Sequence, residues 1–252
     1  MSNLKAENKT VVVPGEILSS GIDYIPGYGT YRHDKQIICS RLGLLNIDGK
    51  VIKIIPISGK YLPKKNDLVI GKIIDILISG WRIEINSPYS AVLSMKDATF
   101  EFINKGEDLT RFYDLGEYVV AKIINVTSQN LVDLTMKGPG LRKLKGGYII
   151  MINPTKVPRI IGKKGSMVSM IKQATGCRVI VGQNGLVWID GEPEKEVIAI
   201  ETIKKIEKDS HISGLTDTIK EYLEQRTGLK ISTEAKEEHG DNIEYNTSNG
   251  DN

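Results

Sequence analysis

The chain is poor in cysteine, histidine and aromatics: two Cys, three His and 6% Phe, Trp and Tyr in 252 residues. Cys39 and Cys177 lie in separate β-rich segments, so no disulfide framework is expected and a reducing compartment follows. His33, His211 and His239 share no ligand spacing with the cysteines, which predicts no metal site and no cofactor. No apolar run approaches the roughly 20 residues of a membrane-spanning helix, and the opening MSNLKAENKT has no signal-peptide core. A cytoplasmic protein without a membrane partner is the expectation. Asp75, Asp97, Asp108 and Asp133 are scattered, whereas a Mg²⁺ nuclease needs clustered carboxylates, so no catalytic residues are predicted and a non-catalytic role is expected. Acids are also absent from Gly138 to Ile189, a stretch holding nine basic residues.

The net charge of +3 hides this asymmetry. Residues 236–252 hold one lysine against five acids, giving −4, so the remainder carries +7. That acidic, Asn- and Gly-rich tail, taken as 235–252, is expected to be disordered. The basic density surrounds VPRIIGKKGSMVSMIKQATG (157–176). An apolar run leads into Gly162-Lys163-Lys164-Gly165. Met167, Val168, Met170 and Ile171 then recur at helical spacing until Thr175-Gly176. Two glycines allow a tight turn and a close backbone approach, and two lysines add positive charge where a helix begins. Phosphate is the ligand such a turn suits, and the basic residues Arg142, Lys145 and Arg159 extend the patch.

Taken in order, the chain reads as several small, mostly β domains with one α/β domain, since 252 residues exceed the usual single-domain size. Residues 1–62 form a turn-rich β module whose clearest signal is Asp48-Gly49 between two β-rich runs. Residues 63–140 carry two matching segments, 67–76 and 117–126, read as related strands of one five-stranded barrel. Trp81, Tyr89 and Met95 are its candidate binding-face residues, with Arg82, Lys96 and Arg111 as backbone contacts; core packing is the alternative for Trp81. Gly138-Pro139-Gly140 is a linker. Residues 141–234 follow, with strands near 148–152, 178–181 and 186–189, a Gly-Gln-Asn-Gly turn, a helix from Pro193 and a further helix at 215–226.

The order helix, Gly-Lys-Lys-Gly, helix, strand, turn, strand, helix closely resembles an RNA-binding KH domain. Residues 63–140 resemble an S1-type barrel of the OB class. With the early Val-Pro-Gly-Glu (13–16), the whole arrangement over about residues 9–230 resembles the RNA-binding cap subunits of the archaeal-type RNA exosome. Bacterial polynucleotide phosphorylase differs, because its KH domain precedes its S1 domain. The resemblance implies a non-catalytic subunit, three copies of which sit on a hexameric ring of phosphorolytic subunits. It further implies capture of single-stranded RNA and guidance of its 3′ end inward. Gly162, Lys163, Lys164 and Gly165 would clamp the RNA backbone, with bases against an apolar groove of Ile160, Ile161, Val168 and Ile171. A free-standing RNA-binding factor would use the same surfaces without a ring, and a nuclease would need the clustered carboxylates that the sequence lacks.

Overall fold

The computed structural model describes residues 3–57, 59–104, 106–210, 212 and 214–230. The acidic tail (235–252) and Lys105 lie outside the described residues. The chain divides into two compact units, Met1–Gly59 and Lys60–Asn252.

The first unit is built from β1 (Asn3–Leu4), β2 (Val11–Val12), β3 (Ile17–Ser20), β4 (Ile25–Pro26), β5 (Thr30–His33), β6 (Gln36–Cys39), β7 (Gly43–Asp48) and β8 (Val51–Pro56). Among the described residues these form two four-stranded sheets, in the orders β1-β3-β6-β5 and β2-β7-β8-β4. Asp48 pairs with Val51, so Gly49-Lys50 is the two-residue hairpin loop that Asp48-Gly49 announces. Alternate residues face inward: Leu45, Ile52 and Ile54 join Val12, Leu18, Ile37 and Cys39 in the core. The opposite parity leaves Val11, Val13, Ile25 and Ile55 more than half exposed.

The second unit opens with a closed barrel of β9 (Leu68–Leu77), β10 (Gly80–Glu84), β11 (Ala91–Ser94), β12 (Tyr118–Val126) and β13 (Val132–Thr135). The strand order is β13-β11-β10-β9-β12, and β12–β13 pairing closes it. The two matching sequence segments are antiparallel neighbours, with Tyr118 opposite Lys72 and Lys122 opposite Leu68. A short helix α1 (Met95–Ala98), capped by the Ser94 side chain, follows β11. Strand β14 (Lys143–Leu144) pairs with the start of β12.

The α/β part is a three-stranded antiparallel sheet of β15 (Tyr148–Met151), β16 (Arg178–Val181) and β17 (Leu186–Asp190), with β17 central. Helices α2 (Val157–Ile161), α3 (Ser166–Thr175), α4 (Pro193–Lys208) and α5 (Leu215–Thr227) complete it. Their shared core takes Val168 and Ile171 from α3, Ile203 from α4, and Leu215, Ile219 and Leu223 from α5. This is the KH-type arrangement, with α5 added to its helical layer.

Barrel and KH part meet at an apolar seam. Leu68, Ile70 and Val120 of the barrel pack with Leu144 of β14 and with Ile180, Leu186 and Trp188 of the KH sheet. Asn184, between β16 and β17, is fully buried there. Its Nδ2 donates to the carbonyls of Ile70 (2.7 Å) and Ile85 (2.9 Å), and its Oδ1 accepts from the Ile70 N–H at 3.3 Å. The Gln183 N–H donates to the Leu68 carbonyl at 2.7 Å, and Asn86 Nδ2 donates to the Asn184 carbonyl at 2.8 Å. A buried amide so fully partnered locks one register, because each broken bond would strand a polar group out of water. The second unit is therefore one body with a polar key inside an apolar seam.

Candidate nucleic-acid interface

The Gly-Lys-Lys-Gly turn joins α2 to α3. Gly162 has φ +76°, and a Cβ there would lie 2.7 Å from the Met167 backbone nitrogen, so a side chain does not fit. Lys164 also adopts a left-handed backbone, at φ +52°. Lys163 and Lys164 are exposed, as is Arg159 one turn earlier on α2, so three cations within six residues are open to solvent. Gly165 caps the start of α3. The predicted apolar groove beside them is corrected by the structure: Ile160, Ile161 and Ile171 are fully buried and Val168 is 2% exposed. Their helical spacing serves the core that α3 shares with α4 and α5, so none is at the surface for a base.

On the barrel, Trp81 is buried, with its Nε1–H donating to the Tyr113 carbonyl at 2.9 Å and its ring edge-on to Tyr113 at 5.2 Å. It is a core residue, and Met95 packs against the same core. Arg82 projects from β10 and lies 3.9 Å from Asp75 on β9. Lys96 on α1 and Arg111 on the turn at Leu109–Arg111 are exposed. Tyr113, two residues after Arg111, donates its hydroxyl to the Ala98 carbonyl, which ties that turn to α1. Tyr89, 38% exposed, sits in the β10–β11 connection. Strand β11 separates it from Lys96 by on the order of 10 Å, so Tyr89 lies at the other end of that strand from Lys96.

Arg142 and Lys145 belong to the seam region. The Arg142 guanidinium lies 5.8 Å from the Trp188 ring, and Lys145 is exposed. Lys143 pairs with Glu117 at 2.5 Å. Burial raises the Glu117 carboxyl, but the Lys143 and Asp114 hydrogen bonds and the Lys143 and Lys145 charges outweigh it and leave it below the usual carboxylate range. Among the described residues no group of three or more His, Cys, Asp or Glu is placed to hold a metal ion. No helix among them is long and apolar enough to cross a membrane.

Comparison with known proteins gives this geometry a family. Residues 147–195 match the KH domain model, and residues 11–48 match a model described as the exosome complex exonuclease RRP4 N-terminal region. A Pyrococcus horikoshii protein named exosome complex component Rrp4 is 40% identical, with the match covering 100% of this chain and 98% of that one. The chain belongs to the Rrp4 family of exosome complex components. The Rrp4 proteins of Pyrococcus furiosus (45% identical; 88% of this chain, 86% of that one) and Methanothermobacter thermautotrophicus (40%; 94% and 75%) agree. A solved structure provisionally described as an exosome complex RNA-binding protein is 35% identical, with a TM-score of 0.60 over 67% of this chain and 97% of its own.

Several surface and seam residues escaped the sequence reading of this Rrp4-family chain. Phe100 and Phe102, 81% and 87% exposed, precede the buried Ile103 anchor, and Ile78 is 99% exposed at the β9–β10 turn. Aromatics inside a mixed loop have no periodicity to mark them. Asn184 was read only as part of a turn, the ordinary role of Asn beside Gly.

Proposed function

We propose that the chain is a non-catalytic, cytoplasmic cap subunit that captures single-stranded RNA and guides its 3′ end into a phosphorolytic chamber, three copies standing on a hexameric ring. The observation that carries this reading is the exposed, acid-free cationic turn of Arg159, Lys163 and Lys164 on a chain of the Rrp4 family. Lysine and arginine neutralise phosphates without reading sequence, which suits a subunit that must feed any strand inward. Arg82, Tyr89, Lys96, Arg111, Arg142 and Lys145 would add contacts along the barrel and seam. The half-exposed Val11, Val13, Ile25 and Ile55 of the first unit supply an apolar face of the kind that seats on a protein partner. A free-standing RNA-binding factor would have no use for that face.

Reconstitution tests the reading. Adding the chain to a purified ring of phosphorolytic subunits should yield a stable complex that binds RNA more tightly and shortens it faster than the ring alone. If no complex forms on gel filtration, or shortening is unaffected, the cap assignment fails.

A further inference from the structure

An open groove of about 430 Å³ lies where the barrel edge meets the KH sheet, distinct from the Gly-Lys-Lys-Gly turn. Its volume falls within the range of small-ligand sites, roughly 300–1,000 Å³. Trp188 forms the floor, its Nε1–H donating to the Gly146 carbonyl at 2.8 Å. Gly147 lies against the floor so closely that a Cβ would come within 2.4 Å of the Ile189 carbonyl and 2.9 Å of Trp188 Nε1. The glycine pair therefore keeps the groove free of side chains at that point. Tyr118 and Tyr148 stand in the lining, and Tyr148, on the edge strand β15, is 61% exposed.

The surrounding charge is basic. The Lys72 ammonium lies 5.8 Å from the Tyr118 ring, the two residues being cross-strand partners, and Lys145 is next to the glycine pair. Of the acids around it, Glu117 is bound by Lys143 and Asp190 is paired with Arg178, while Glu84 stands opposite Lys72 on the neighbouring strand β10. Both Arg142 and Arg178 lie against the Trp188 ring, so the indole is held by guanidinium groups and the exposed Tyr148 ring is the one that offers a face. Exposed aromatic faces beside cations are the chemistry of sequence-tolerant single-strand binding.

We infer that this groove is a nucleotide-binding subsite for single-stranded RNA, in which a base stacks on Tyr148 while Lys72 and Lys145 hold the flanking phosphates. The subsite rests on the RNA-binding reading above and adds to it a path along the seam. A strand engaged there would contact barrel and KH part at once, and the Asn184 key keeps the two walls of its path in fixed register.

The test is fluorescence anisotropy of the full chain with a 5′-labelled, mixed-sequence RNA of about 12 nucleotides, together with ultraviolet cross-linking of the same RNA carrying 4-thiouridine. Tyr148→Ala should weaken binding about tenfold, and Tyr148→Phe, which keeps the ring, should bind like the parent. Cross-links on the parent chain should map to Tyr148 or Tyr118. Tyr148→Ala binding within twofold of the parent, with cross-links confined to other surfaces, would overturn the subsite and leave the RNA-binding reading standing. No binding by the parent chain would overturn both.

Discussion

The KH part contains two turns of the same spacing, Gly162-Lys163-Lys164-Gly165 and Gly182-Gln183-Asn184-Gly185, and they have opposite fates. In the first, both central residues are exposed cations on a left-handed loop between two helices. In the second, the central Asn184 is wholly buried and its amide is spent on the backbone of a different domain. The glycine spacing specifies a tight turn in both cases. The residues between decide its use, because lysine ammonium groups require water while a neutral amide can be buried once every donor and acceptor is matched. One turn faces solvent; the other faces the barrel.

The contrast predicts different failures. Asn184→Ala strands the Ile70 N–H and the Ile70 and Ile85 carbonyls in the seam and should lower unfolding free energy by about 3 kcal/mol, read from urea denaturation. A loss below about 0.5 kcal/mol would mean that the apolar cluster alone holds the seam. Lys163→Asp with Lys164→Asp should leave stability unchanged, since both side chains are in water, and Asp suits the left-handed backbone at 164. RNA affinity should fall at least tenfold, and the slope of log affinity against log salt should become shallower by about 1.4, the share of two phosphate contacts on a single strand. Unchanged affinity in the folded double variant would remove the turn from the RNA path.

Two carboxyls beside the seam sharpen the comparison with smaller effects of opposite sign. Burial raises Asp67 above the usual range, only partly offset by the Tyr61 hydroxyl at 2.6 Å and by Lys64. The folded chain then holds this proton more tightly than the unfolded one, so the group lowers stability as pH rises through its raised pKa. Glu117, held low by Lys143, does the reverse: its stabilisation is present above the unfolded value and lost as pH falls through the folded one. Relative to the parent chain, Asp67→Asn should gain in thermal midpoint from acid to neutral pH, and Glu117→Gln should show a shallower acid-side loss. Parallel pH profiles for a variant and the parent would refute that variant's assignment.

Much of this was legible in the sequence. The two related strands, the Gly-Lys-Lys-Gly turn and the apolar helical spacing are each local signals, and they appear in the fold as antiparallel neighbours, an exposed turn and core, respectively. Trp81 could have been placed by the same logic: it shares parity with Ile83 and Ile85, opposite to Arg82 and Glu84, and all three are buried. Ile160, Ile161, Val168 and Ile171 could likewise have been assigned wholly to the core. Asn184 could not, because its partners Ile70 and Ile85 lie about a hundred residues away and no local pattern points to them. The Trp188 groove was hidden for the same reason, being assembled from β12, β14, β15 and β17 only after the two domains close.

The central claim is that this chain binds RNA without cutting it. The direct test incubates the purified chain alone with 5′-labelled single-stranded RNA, with and without phosphate and Mg²⁺, and follows both mobility shift and strand length on gels. A salt-sensitive shift with full-length RNA under every condition is the predicted result. Progressive 3′ shortening that survives rigorous repurification would contradict it and require an active site in this chain.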